Sequence, residues 1–177
     1  MTIATPFYAK ATPAAALLAA DPSPLTALVY DEGFAIAGIF RAVAAEAMSR
    51  GLRLGGVVER PLPEPARGHR CDMLLEDLAS GETTRISEDR GALARGCRLN
   101  HDAMSRVCAL VLSRLHDRDL ILLNKFGKTE AEGGGFRCIM ADALALAVPV
   151  MIGVPRRNLA AWREFAGQFA VEWDFGG

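Results

Sequence analysis

LILLNKFGKTEAEGGGFR, Leu120 to Arg137, is the stretch that decides the fold class. Its opening, Leu120 to Asn124, is a continuous apolar run closed by an amide. A strand with one wet face alternates apolar and polar residues, whereas an unbroken run belongs to a strand covered on both faces. LILLN therefore reads as a central strand. After it comes a polar, glycine-rich turn, then helical spacing from about Arg137 to Ala147, then a second apolar strand in PVMIGVP.

The same alternation extends in both directions. Upstream, Met104, Val107, Cys108, Val111, Leu112 and Leu115 share one face of a helix from His101 to His116. Nearer the start, LTALVYD (Leu25 to Asp31) reads as a short buried strand and Gly33 as the turn after it. Ala35 to Arg50 follows with Ile36, Ile39, Phe40, Val43 and Met48 at helical spacing, and Gly51 is a natural stop. LRLGGVVE is then a second strand, which suggests a parallel βαβ unit. CDMLLEDL and TTRIS flank Ser80-Gly81, which reads as a hairpin or a turn between two short strands. PLPEPARGH (Pro61 to His69) reads as a loop and Ser87 to Asn100 as a long ordered one. A helix from Asn158 to Ala166 and a strand from Phe169 to Trp173 complete the pattern. Alternating strands and helices predict a three-layer α/β fold with a mostly parallel sheet. The expected organisation is an N-terminal arm over residues 1–24, loose or docked on the surface, and a single domain over 25–177.

The bulk properties exclude several classes. A chain of 177 residues, 51% hydrophobic and 23% charged, can bury one sizeable core. Its net charge of −1 supplies no global attraction to nucleic acid or to an anionic membrane. There is no apolar run of membrane-spanning length. The four cysteines, Cys71, Cys97, Cys108 and Cys138, include no CxxC pair, so the expectation is a cytoplasmic protein with reduced, mostly packed thiols. No HxxxH, HExxH or GxSxG spacing occurs, so neither a preformed zinc site nor a nucleophile elbow is expected.

In parallel α/β sheets ligands bind beyond the carboxyl ends of the strands. That rule places Asp31 to Gly38, Asn124 to Gly135 and Pro155 to Asn158 on one rim. Lysine is scarce here, and two of its occurrences, Lys125 and Lys128, fall within this rim. A compact ammonium suits a phosphate or another oxyanion. Glu130 and Glu132 follow, able to hold a cation or to act as base, and Gly133 to Gly135 allow close approach by a ligand. Arg90, Arg95 and Arg98 add guanidinium forks that match oxyanion geometry. The first strand-to-helix turn, YDEGFAIAG, keeps Gly33 and Gly38 of a phosphate-binding GxxxxGK[ST] loop but neither its lysine nor its hydroxyl, and Asp31 stands at its start. The bland alternatives are an ordinary βα turn, a surface turn before a helix, and arginines paired with Glu88 and Asp89.

With these residues laid out, the chain is similar to a bacterial family of uncharacterised domains that carry N-[RK]-F-G-K-x-E-A-x-G-x-G, here Asn124 to Gly135. In that family the motif is preceded by R-I-S-x-D-R-G…A-R-G-C-R-L, here Arg85 to Leu99. The chain more distantly resembles the small P-loop nucleoside-triphosphatases first described from thermophiles. This second resemblance implies a P-loop NTPase-like fold, and it marks departures: the acidic residues that end the second conserved strand are replaced by Asn124 and Lys125. The first resemblance implies an association with molybdate uptake. The expected function is a non-hydrolysing binding protein for a small anionic ligand, a nucleotide or an oxyanion such as molybdate. One alternative is a rearranged, magnesium-dependent nucleoside-triphosphatase in which Asp31, Glu130 or Glu132 positions the metal. Another is a regulatory or scaffold protein, as a homo-oligomer or with a protein partner, whose interface uses Phe126 and Phe136. No nucleic-acid or membrane partner is expected.

Overall fold

A computed structural model describes residues 13–19, 23–60, 73–88 and 98–176. The strands are β1 (Leu25–Tyr30), β2 (Leu54–Arg60), β3 (Leu74–Asp77), β4 (Thr83–Arg85), β5 (Ser87–Glu88), β6 (Arg98–Leu99), β7 (Leu120–Leu123), β8 (Val150–Pro155) and β9 (Ala170–Asp174). The helices are α1 (Pro13–Ala19), α2 (Ile36–Ser49), α3 (His101–Ser113), α4 (Lys128–Ala131), α5 (Arg137–Ala145) and α6 (Leu159–Ala166).

One seven-stranded sheet runs in the order β4-β3-β2-β7-β8-β1-β9. From β2 to β9 every pairing is parallel, while β3 and β4 add an antiparallel edge. All residues of β1, β7 and β8 are buried, which is why their sequences read as continuous apolar runs. The LRLGGVVE strand is parallel to the first one but not beside it, because β7 and β8 lie between them.

Two apolar layers sandwich the sheet. On one face α1 and α2 pack through Leu17, Phe40, Val43 and Ala47 against Leu28, Leu122 and Trp173. On the other, α3, α5 and α6 bring Val107, Ile139, Met140 and Trp162 onto Ala27, Ile121 and Ile152. The chain moves across the sheet in one direction with α2 on the first face. It returns with α3, α5 and α6 on the second, as uniformly right-handed crossovers require. α3 starts on Asn100, whose side chain accepts from the Ala103 N–H at 2.8 Å. Met48, expected on the buried face of α2, is exposed because it is turned away from the face that Ile36, Phe40, Val43 and Ala47 bury.

The reversal of winding sets the crevice. The connection after β1 enters α2 on one face, while the connection after its neighbour β8 enters α6 on the other. At such a switch point the two loops diverge and leave a groove above the strand ends. No helix among the described residues is long and apolar enough to cross a membrane.

Candidate functional site

The carboxyl end of β7 is anchored from four directions. The Asn124 amide, 7% exposed, accepts from the Glu59 N–H and donates to the Glu59 carboxylate, which links the ends of β7 and β2. The Phe126 N–H donates to the Gly153 carbonyl at 2.7 Å, and a side chain at Gly153 would collide with the Asn124 carbonyl. Asn158 Nδ2 donates to the Phe126 carbonyl at 2.8 Å. The Phe126 ring itself is fully buried, edge-on to Trp162 at 5.4 Å and beside Phe165 at 5.9 Å. Arg137 stacks its guanidinium 4.7 Å above the Phe165 ring.

Between these anchored neighbours stands Lys125. It is half-buried, and among the described residues its ammonium has no ion-pair partner. It belongs to the walls of two adjoining clefts. One, of about 270 Å³, is polar and opens over the switch point between Tyr30, Glu32, Gly33, Pro155 and Arg157. The other, also about 270 Å³, lies over the ends of β2 and β7 and has an apolar floor that includes Leu75, Ile86, Met104 and Phe136. Glu59, Asn124, Lys128, Thr129 and Arg157 stand around it. Burial pushes the Tyr30 phenol up to about 12, with the Glu59 charge adding to the shift and Arg157 opposing it.

The three carboxylates considered for a cation or a base are each engaged. Asp31 accepts from Arg156 at 2.7 Å, and the same guanidinium grips Asp174 at 2.7 Å. Both contacts hold Arg156 charged, and the shared fork lowers the Asp174 pKa. Glu130, 3% exposed, accepts from the Gly127 N–H at 2.8 Å and from the Phe136 N–H at 3.0 Å, so it closes the glycine-rich loop from inside. Gly135 has φ +57°, and a side chain there would collide with that carboxylate. Glu132 is exposed and pairs with Lys128 one helical turn away at 3.6 Å. These carboxylates do not converge into a magnesium site, and among the described residues no three His, Cys, Asp or Glu side chains gather to hold a metal ion.

The first strand-to-helix turn is tight. The Phe34 N–H donates to the Asp31 carbonyl, the Ile36 N–H to Phe34 and the Gly38 N–H to Ala35. Gly33 takes φ +90° and lines the polar cleft, whereas Gly38 lies inside α2. Glu32 is ion-paired with Arg157. Arg90 and Arg95 lie outside the described residues, as does the loop Pro61 to His69. Arg98 is in β6, which pairs with β5, and Ile86 and Leu99 at that ribbon are part of the apolar cleft.

Two cleft residues, Tyr30 and Glu59, were missed in the sequence, and Arg157 lies in the Pro155 to Asn158 stretch expected on the rim without being singled out there. Each sits at a strand end or just beyond it, and only the strand order brings them to Lys125. Phe126 and Phe136, considered for an interface, are 0% and 3% exposed and belong to the core. Cys108 and Cys138 both donate to the Gly135 carbonyl, at 3.6 and 3.4 Å, and burial beside Cys138 pushes the Cys108 thiol up to about 12.

Two comparisons bear on this site. A "Molybdenum import ATP-binding protein ModC 2" from Bradyrhizobium diazoefficiens is 32% identical over 148 residues, which cover 83% of this chain. The match spans only 16% of that relative's length. A family model matches residues 25–175, from the first residue of β1 to just past β9. The chain thus belongs to the family described as "Protein of unknown function (DUF2478)".

Proposed function

We propose that the chain is a cytoplasmic, non-hydrolysing binding protein for a small anion, a nucleotide phosphate or an oxyanion such as molybdate, held at the carboxyl ends of β1, β7 and β8. The observation that carries this reading is Lys125: a half-buried ammonium on an anchored strand end, without an ion-pair partner among the described residues, facing two clefts at once. A half-buried cation has lost hydration that a bound anion would restore. Arg157 and Lys128 add positive charge around the clefts, although each already pairs with a glutamate.

Three features favour binding over phosphoryl transfer. The chain has no GxxxxGK[ST] segment. The Phe34, Ile36 and Gly38 N–H groups of the first turn are turned inward to carbonyls rather than outward to a phosphate. Asp31 and Glu130, which would have to hold magnesium, are committed to Arg156 and to backbone N–H groups. The relative's name speaks of molybdenum import and ATP binding for a protein more than six times the matched length. This chain lacks the usual ATP-binding loop, so the molybdenum part of that name is the one carried over.

Thermal unfolding tests the proposal. Molybdate, phosphate and ATP, each with and without magnesium, are compared on the wild-type chain and Lys125→Ala. A ligand at about a hundred times its Kd stabilises the native state by about 2.7 kcal/mol. For a chain of this size that is roughly 5–11 °C in Tm. The expected result is such a shift for at least one anion, lost in Lys125→Ala. Flat transitions for all three, or shifts that survive the substitution, would discard the reading. Magnesium-dependent release of phosphate from ATP would replace it with the nucleoside-triphosphatase alternative.

A further inference from the structure

The geometry points to an organic anion as the occupant of the apolar cleft: a ring-sized body that carries N–H or O–H donors and ends in a phosphate-like group. This deepens the anion reading above and rests on it.

The floor of the cleft is the first argument. Leu75, Ile86, Met104 and Phe136 are buried and apolar, and Met73 and Leu99 continue the surface upward. A bare tetrahedral oxyanion needs donors on several sides and would gain nothing from such a wall, while losing its water. A flat apolar body gains along the whole floor. The two methionines give the wall an unbranched, polarizable lining that adapts to a ring. A volume of about 270 Å³ has room for a body much larger than one oxyanion.

Glu59 is the second argument. It is half-buried, and among the described residues no cation pairs with it and its side chain accepts only the Asn124 amide, at 3.4 Å. A carboxylate in the wall repels a naked dianion, but it is a ready acceptor for a donor carried on a ring. Glu59 and Lys125 are at the ends of neighbouring strands, with Asn124 linked between them. One wall thus offers an acceptor and a cation side by side. Lys125 also faces the polar cleft over the switch point, so an anionic end held there has its body directed along the apolar floor.

Calorimetric titration of the full chain with inorganic phosphate, phenyl phosphate and 4-aminophenyl phosphate separates the possibilities. Phenyl phosphate is expected to bind at least tenfold more tightly than phosphate, and the amino compound more tightly again. Leu99→Ser, at a half-buried ribbon position on the margin of the core, removes the first gain. Glu59→Leu removes only the second. Equal affinity for phosphate and phenyl phosphate, or a gain untouched by Leu99→Ser, overturns this inference and leaves the anion reading standing. If no probe binds, or if Lys125→Ala binds them all unchanged, the anion reading itself falls.

Discussion

At the residue scale, position in the sheet decides what each side chain can do. Lys125 was legible in the sequence because lysine is rare here and this one follows an apolar run. Tyr30 and Glu59 were not, since nothing local announces that β2, β7, β8 and β1 end side by side. The Tyr30 phenol makes the arrangement measurable. Its folded value of about 12 lies above the ordinary phenol value of 10.0. The native state therefore keeps a proton that the unfolded chain gives up between those values. Stability from this group is intact below pH 10 and declines as pH rises towards 12. Ultraviolet titration of the native protein should show one tyrosine ionising late. Glu59→Gln removes a charge that opposes ionisation and should move that transition to lower pH. An unchanged transition would mean that Glu59 does not sense the Tyr30 ring.

At the scale of elements, hydrophobic period identified strands and helices well. LILLN, LTALVY and the face of α3 each carry their burial in their spacing. Period does not report what polar residues do inside a turn. Glu130 reads as a candidate base because it stands among lysines and glycines, yet it is the internal brace of the loop from Gly127 to Phe136. Removing it leaves two N–H groups without their charged acceptor. A charge-assisted hydrogen bond contributes about 1.5–3 kcal/mol. Glu130→Ala should therefore destabilise the chain by about 3 kcal/mol, seen as a lowered midpoint in denaturant. A loss below about 0.5 kcal/mol, within the range of ordinary surface substitutions, would show that the brace is dispensable. The same logic corrects Phe126 and Phe136: aromatic residues beside a charged motif look like an interface in the sequence, but here they close the core beneath it.

For the whole molecule, the mostly parallel sheet followed from alternating elements, whereas strand order did not, because crossover length fixes direction but not destination. The sequence did not decide the docking of α1 on α2 through Ala14 and Leu17 either, since a short alanine-leucine run fits a docked arm as well as a loose one. The antiparallel β3–β4 edge was readable from its turn. Strand order has a test of its own. β9 covers one side of β1 and supplies Glu172 for Arg163 and Asp174 for Arg156. A chain stopped after Gly167 should lose its cooperative thermal transition, and a retained sharp transition would show that β1 stands with one neighbour. The same placement governs assembly over time. Leu25 pairs with Val150 on one side and Ala170 on the other, so β1 emerges from the ribosome long before either partner exists. Until β8 and β9 arrive, LTALVY is an unpaired apolar segment, and nascent chains of this protein should be slow to mature and dependent on chaperones.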